Sequence, residues 1–348
     1  MSLEKYIVRK KINNSDSKIS YNYYYVTSKS TKDGQLKSNK TNLKKIIDNN
    51  MIEKLKKIYI APAYKNVKIY LNSNILATGI DKAGRKQYIY SEERKKQRNI
   101  DKYNRISDLS KNIVRLKKSI HTDLLLQKYS KRKIIAVILK IMDHCNFRCG
   151  NKKYEKLYGS YGLTTLHKKH FKFKKDEIEI DFIGKKGVRN YCTIKDKTLQ
   201  AIIKKIYVKS SKDDPYMFNI KDENTGEKII INITDVNKYL EKFNVTSKDL
   251  RTWNANLIFL ENFRKEVRKL NDDSYYNKNS DKRKKIRKRM IKDSIKNTAE
   301  KLHNTPAVCK SSYIFKNIIN NIEDGIINLK LFETKCSIES LLKNILHI

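Results

Sequence analysis

Apolar and polar residues alternate with two different periods along the chain. Through the first ~95 residues the period is close to two. Tyr21 to Thr27 (YNYYYVT), Val67 to Leu71 (VKIYL) and Gln87 to Tyr90 (QYIY) read as strands, with Gly79 and Gly84 turning the chain between the last two. Thr41 is placed to cap a short helix carrying Leu43, Ile46, Ile47, Ile52 and Leu55. From Ile106 onward helical spacing dominates. Leu109, Ile113, Leu116 and Ile120 share one face, and a second helix is expected over Leu124 to Asn146, most apolar from Ile134 to Met142. One segment breaks that pattern. Glu177 to Ile194 (EIEIDFIGKKGVRNYCTI) alternates on either side of Gly184 to Gly187, which predicts a β-hairpin with lysines at its tip.

These patterns predict an α+β fold. A small β-rich domain occupies residues 1–95, a junction residues 96–105, and a mainly α domain with one hairpin residues 106–348. The charged stretch Glu92 to Arg105 reads either as that junction or as a helix lying along a phosphate backbone.

Composition narrows the partners. The chain has 348 residues, 39% of them hydrophobic, which is enough for a core. Lys and Arg number 78 against 37 Asp and Glu, a net charge of +41. Such a field draws in polyanions; DNA, RNA or an acidic membrane surface would each satisfy it. The basic residues run throughout, and positions 282–290 (KRKKIRKRM) hold seven in nine, as a DNA-tracking helix or a basic connector. No run of about 18 uncharged apolar residues predicts a membrane span, and the N-terminus lacks the apolar stretch of a secretion signal. Cysteines stand at 145, 149, 192, 309 and 336. Cys145 and Cys149 are four apart, but no second pair completes a zinc site, so reduced thiols in a reducing compartment are expected and no metal site is assigned.

Phosphodiester transfer by a protein hydroxyl has three needs: a nucleophile, neutralisation of the non-bridging oxygens, and a proton for the leaving 5′-oxygen. No acidic motif stands out as a ligand set for a divalent metal, and guanidinium forks can neutralise phosphate in its place. Composition does not choose among so many arginines. Five segments do: Phe147 to Leu166 (FRCGNKKYEKLYGSYGLTTL), Phe182 to Val188 (FIGKKGV), Lys248 to Trp253 (KDLRTW), Thr298 to Ile314 (TAEKLHNTPAVCKSSYI) and, in the first domain, Thr78 to Tyr90 (TGIDKAGRKQYIY). In content and order they resemble the blocks of poxvirus-type and bacterial type IB DNA topoisomerases, across roughly residues 60 to 315.

The resemblance implies a C-shaped clamp on double-stranded DNA that works as a monomer without cofactor, ATP or metal. Tyr313 is then the nucleophile that forms a 3′-phosphotyrosyl link, Arg148 and Arg251 bind the non-bridging oxygens, and Lys185 is the general acid, assisted by Arg148. Poxvirus enzymes carry His immediately before Thr-Pro. Here Asn304 holds that place and His303 precedes it, so Asn304 takes the phosphate hydrogen bond, with His303 the alternative. Arg85, Gln87, Tyr88, Tyr90, Lys153, Tyr154, Thr165 and Lys169 fall on the family's DNA-contacting positions, although Tyr88 and Tyr90 would share a strand face and could both be core. Thr305 and Pro306 read as N-cap and first residue of a helix that carries Tyr313 two turns in.

Two other readings remain open in the sequence. A tyrosine recombinase uses a similar residue set, but its second arginine usually follows an HxxR pattern, where this chain has Lys248 three before Arg251. A non-catalytic DNA-packaging protein would explain the charge without any tyrosine. The expected location is the site of DNA replication or a virion for a viral protein, the cytoplasm for a bacterial one, and not the exterior.

Overall fold

The structure, a computed structural model, describes residues 6–12, 19–27, 42–270, 275–276 and 279–346; Thr41, the expected helix cap, lies outside them. The chain divides into two compact units, Met1–Lys102 and Tyr103–Ile348.

In the first unit, period-two segments pair into one antiparallel sheet. Its strands are β1 (Ile7–Ile12), β2 (Ser20–Thr27), β3 (Asn42–Lys45), β4 (Lys65–Ile69), β5 (Ile75–Ile80) and β6 (Lys86–Tyr90), in spatial order β3-β2-β1-β4-β5-β6. Ile7 faces Tyr25 on one side and Ile69 on the other; Ile7 and Ile69 are buried with Tyr23, Leu55, Val67 and Ala77, and Tyr25 packs against them partly buried. Two expectations are corrected. Leu43 belongs to β3, paired with Val26, and not to a helix; helix α1 (Asn49–Lys56) starts later, where the Asp48 side chain accepts from Asn50 N at 2.9 Å. Gly79 does not turn the chain but lies inside β5 opposite Gln87, so only the turn through Gly84, at φ +73°, separates β5 from β6.

Helix α2 (Glu92–Leu124) runs for 33 residues, so residues 96–105 are helical and the division between the units falls within them. Glu92 and Glu93 in its first turn complement the partial positive charge of that end. Ile106, Leu109, Ile113 and Leu116 are buried along one face, and Ile120 is partly buried. The next helix, α3 (Lys131–Cys145), begins seven residues later than its apolar pattern suggested, because the Ser130 side chain caps it and a short loop first ends α2. Asn146, at φ +56°, closes α3 in the left-handed conformation.

The hairpin forms as expected. Strands β7 (Phe171–Phe173), β8 (Ile178–Ile183) and β9 (Arg189–Ile194) make a meander, with Ile178 opposite Ile194 and Ile183 opposite Arg189 at the tip. Helix α4 (Lys152–Tyr158) precedes it. Helices α5 (Lys197–Lys209), α6 (Ile233–Glu241), α7 (Ser247–Val267), α8 (Ser280–Lys301), α9 (Pro306–Ser312), α10 (Lys316–Glu323) and α11 (Ile338–Leu346) follow. Fully buried Phe147, Trp253, Phe259, Phe263 and Phe332 anchor their common core. The basic run 282–290 is the first half of α8, with Lys284 on Asp324 at 2.8 Å and Lys288 on Glu323 at 3.2 Å. Among the described residues no helix is long and apolar enough to cross a membrane.

One expectation about the thiols is overturned. Cys145 at the end of α3 and Cys192 on β9 form a disulfide, their Cα atoms 5.6 Å apart despite a sequence separation of 47; Cys149, Cys309 and Cys336 are free. The antiparallel meander brings β9 back alongside α3, a proximity that local spacing does not reveal.

Candidate active site

Four elements of the second unit deliver side chains to one phenol. Thr305 caps α9 through its hydroxyl, 3.3 Å from Val308 N, and Pro306 occupies the first turn, where no donor is needed. Tyr313 sits at the C-terminal cap of this seven-residue helix, one residue beyond its end. Its backbone is held from both sides: its N–H bonds Cys309 O at 3.0 Å, and its carbonyl accepts from the amide of Asn256 at 3.0 Å. The Asn256 side-chain oxygen also takes the N–H of Phe315 at 3.1 Å. Asn256 is fully buried on α7, and nothing in its sequence surroundings singled it out.

Arg251 lies one turn into α7, which Thr246 and Asp249 cap reciprocally. Its guanidinium is 5.1 Å from the Tyr313 ring centroid, and one of its nitrogens donates to the carbonyl of Leu302. Its Nε and Nη1 are buried and lack an acceptor among the described residues. Burial first, then the charge of Arg148, brings its pKa down to about 10, which leaves it protonated at neutral pH.

Arg148 follows the end of α3. Its Nη2 donates to Asn304 Oδ1 at 2.6 Å and reaches Tyr313 Oη at 3.3 Å. Its segment is locked in place by the 162–165 turn: Leu163 N bonds Arg148 O at 2.9 Å and Thr164 N bonds Cys149 O at 2.6 Å. That approach requires glycine. A Cβ on Gly162 would stand 2.5 Å from the backbone N of Gly150 and 2.7 Å from Arg148 O.

Asn304 follows His303, which at φ +51° ends α8. With Oδ1 committed to Arg148, the Nδ2 of Asn304 is buried without an acceptor among the described residues. His303 is oriented differently. Its ring packs 5.4 Å from that of Phe147 and hydrogen-bonds the backbone of Cys145, and burial followed by the charges of Arg251 and Arg148 holds its pKa below the usual value.

Lys185 stands exposed at the hairpin tip between Gly184 and Lys186, and its ammonium makes no hydrogen bond or ion pair among the described residues. Desolvation of the ammonium by its surroundings and then the charge of Arg148 lower its pKa, while Tyr313 opposes them. For Tyr313 itself burial raises the pKa, but the charges of Arg251 and Arg148 and their contacts with the phenol outweigh it, so the net direction is down. Three cations and an amide donor thus surround one partly acidified phenol. This set suits attack on an anionic phosphodiester.

Other predicted contacts fare differently. Lys153, Tyr154 and Lys169 are exposed, with Tyr154 stacked on Tyr158 at 6.1 Å and Lys169 over Tyr161 at 5.9 Å. Thr165 is not open to solvent as the expected contact would be: it is 1% exposed, and its hydroxyl is spent on Gly162 N and O, so its side chain braces the turn. In the first unit, Arg85 and Gln87 both hold Asp81, each at 2.8 Å, and the hydrogen bonds from Arg85 carry that carboxyl down to about 2. Tyr88 and Tyr90 stack at 6.3 Å on one face of β6, while Ile89 points to the core. His144, Cys145 and Cys192 place their donor atoms within 4.8 Å of one another, but the two sulfurs are bonded together and cannot act as thiolate ligands in that state.

Comparison with known proteins agrees with this chemistry. The family model of the eukaryotic DNA topoisomerase I catalytic core matches residues 91–339. DNA topoisomerase 1B of Acanthamoeba polyphaga mimivirus is 35% identical over 270 residues, covering 76% of this chain and 77% of that protein. DNA topoisomerase 1B of vaccinia virus (strain Copenhagen) is 27% identical over 304 residues, covering 84% and 89%. A solved XerH site-specific recombinase bound to its palindromic difH substrate aligns with a TM-score of 0.36 and 11% identity over 72% of this chain and 59% of that one, too distant to support the recombinase reading. The chain belongs to the type IB DNA topoisomerases, the family of the eukaryotic topoisomerase I catalytic core. Within that family it is of the poxvirus type.

Proposed function

We propose that the chain relaxes supercoiled duplex DNA by cutting one strand through Tyr313, letting the cut strand swivel, and resealing it. The observation that carries this reading is the convergence of Arg148 and Arg251 on the Tyr313 phenol, beside three buried donors without acceptors among the described residues, Arg251 Nε and Nη1 and Asn304 Nδ2. A scissile phosphate placed against Tyr313 Oη supplies the acceptors that those donors lack.

In the proposed reaction the Tyr313 phenol gives up its proton to solvent, its phenolate favoured by Arg251 and Arg148, and the phenolate oxygen attacks phosphorus and forms a 3′-phosphotyrosyl bond. The bond to the 5′-oxygen breaks, and Lys185 passes its proton to that oxygen, assisted by Arg148. Arg148, Arg251 and Asn304 bear the charge that builds on the non-bridging oxygens. Resealing reverses each step: the 5′-hydroxyl returns its proton to Lys185 and attacks the phosphotyrosine. Because the energy of the broken phosphodiester is retained in the phosphotyrosyl bond, no ATP is consumed, and fixed cations bear the charge that a bound metal could otherwise bear.

The exposed Lys153, Tyr154 and Lys169 are proposed to grip the backbone near the cut. Tyr88 and Tyr90 are proposed to meet DNA from the first unit, with Arg85 and Gln87 exchanging Asp81 for phosphate or base partners. The two units then act as the arms of a C-shaped clamp. Relaxation of a supercoiled plasmid in EDTA without ATP tests the reading. Loss of relaxation under the chelator, with recovery on adding magnesium, would contradict it.

A further inference from the structure

The disulfide joins two of the elements that carry the site. Cys145 is the last residue of α3, three before Arg148, and its backbone also holds the ring of His303 beside Asn304. Cys192 lies on β9, the return strand of the hairpin whose tip presents Lys185. That hairpin is lightly anchored toward its tip. Ile183, Val188 and Tyr191 are exposed, and a noncovalent tie from β9 to the end of α3 is the His144 ring, 3.0 Å from Thr193 O. The bond is also within reach of small thiols. Cys192 is half-buried, and the pair lines a depression of about 490 Å³ together with His144, Asn254 and His303.

We propose that Cys145 and Cys192 are a reversible modification site whose thiol–disulfide state governs how well Lys185 is held over the leaving oxygen, the crosslinked form being the faster cleaving one. A covalent strut between α3 and β9 fixes the base of the hairpin against the segment bearing Arg148, so fewer hairpin orientations compete with the productive one. The exchange balances with a low-molecular-weight disulfide as oxidant. Two cysteine thiols and one such disulfide give the Cys145–Cys192 bond and two small thiols, with two electrons and two protons passing to the oxidant. Reduction by excess small thiol runs the same exchange backward.

The proposal rests on the reading of Lys185 as general acid. The test measures single-turnover cleavage of a defined duplex by the full chain, reduced with dithiothreitol or reoxidised with glutathione disulfide. EDTA is kept in both conditions because His144 and two free thiols can hold a soft metal. Reduction is expected to slow cleavage of the ordinary phosphodiester by at least ~10-fold, since small misplacements of a catalytic group are costly, and reoxidation to restore it. A substrate with a 5′-sulfur leaving group, which needs little protonation, is expected to be cut at nearly equal rates in both states. Cys192→Ser is expected to cleave like the reduced protein under either condition. Equal rates on the ordinary substrate, or the same slowing on both substrates, would overturn the proposal. Lys185→Ala, run alongside, separates the two readings: rescue of that variant by 5′-sulfur upholds the general acid even where the redox state has no effect.

Discussion

Arg148 donates to Asn304 across 2.6 Å, and this contact decides which end of the amide remains for substrate. A guanidinium has only donors, so it must take the amide oxygen, and the buried Nδ2 is left as a donor without a partner among the described residues. Asn304→Ala should therefore lower the single-turnover cleavage rate by about 10²-fold, the usual loss for one oxyanion donor. His303→Ala should cost less, because its ring is occupied with Phe147 and the backbone of Cys145. A larger loss in the His303 variant would move the phosphate contact to the imidazole.

Lys185 and Tyr313 both have pKa values below their usual range, and the two shifts make opposite demands on pH. Cleavage needs the phenol deprotonated, so its rate should rise with pH up to the Tyr313 pKa. It needs the ammonium protonated, so the rate should fall once pH passes the Lys185 pKa. A bell-shaped profile is expected, with both limbs below the ordinary values of about 10 and 10.5. Lys185→Ala should lower cleavage by roughly 10²- to 10⁴-fold, remove the falling limb, and be rescued by a 5′-sulfur leaving group. An unchanged falling limb in that variant would assign the proton to another group.

Gly162→Ala tests the scaffold behind Arg148. The added methyl collides with backbone of Gly150 and Arg148, and neither can step aside as a flexible side chain would. The variant should fold with reduced stability and lose cleavage by at least ~10², because Arg148 is displaced from both Asn304 and Tyr313. Cleavage at the parent rate would show that this turn does not set the position of Arg148.

His170 should make the second unit sensitive to acid. Burial, followed by repulsion from His167 and Lys169 and against attraction from Asp181, lowers its pKa from 6.5 to about 4, and its Nδ1 accepts the N–H of His167 at 2.9 Å. The folded state thus prefers the neutral ring. Its contribution is complete above pH 6.5 and is lost as pH falls toward 4. Denaturant unfolding across that window should show the decline, and His170→Gln should flatten it. An identical slope in the variant would place the titration elsewhere.

Much of this site was legible in the sequence because its parts obey local rules. The hairpin follows from strict alternation around Gly184 and Gly187, and the α9 cap from Thr305-Pro306. The identities of Arg148, Arg251, Lys185 and Tyr313 came from the order of the blocks, not from any physical property that marks four residues out of so many Lys, Arg and Tyr. What escaped depends on tertiary proximity. The Cys145–Cys192 bond spans 47 positions, Asn256 acts on a backbone 57 residues away, and Thr165 is withdrawn from solvent by its own turn. Strand β5 was hidden because Gly79 inside ILATGI reads as a turn, whereas it allows close approach to Tyr64, 3.1 Å from where a Cβ would stand. Leu43 was drawn to a helix by its spacing to Ile46 and Ile47, and pairing with Val26 overrode that propensity.

The most direct measurement is to trap the covalent adduct on a defined duplex in EDTA, using strands labelled at either end, with the parent chain and with Tyr313→Phe. The account predicts that the parent chain retains the strand through its 3′ end, by a bond that maps to Tyr313, and that the variant binds the duplex yet forms no adduct. An adduct through the 5′ end, an adduct formed by the variant, or one that appears only when magnesium is supplied would contradict it.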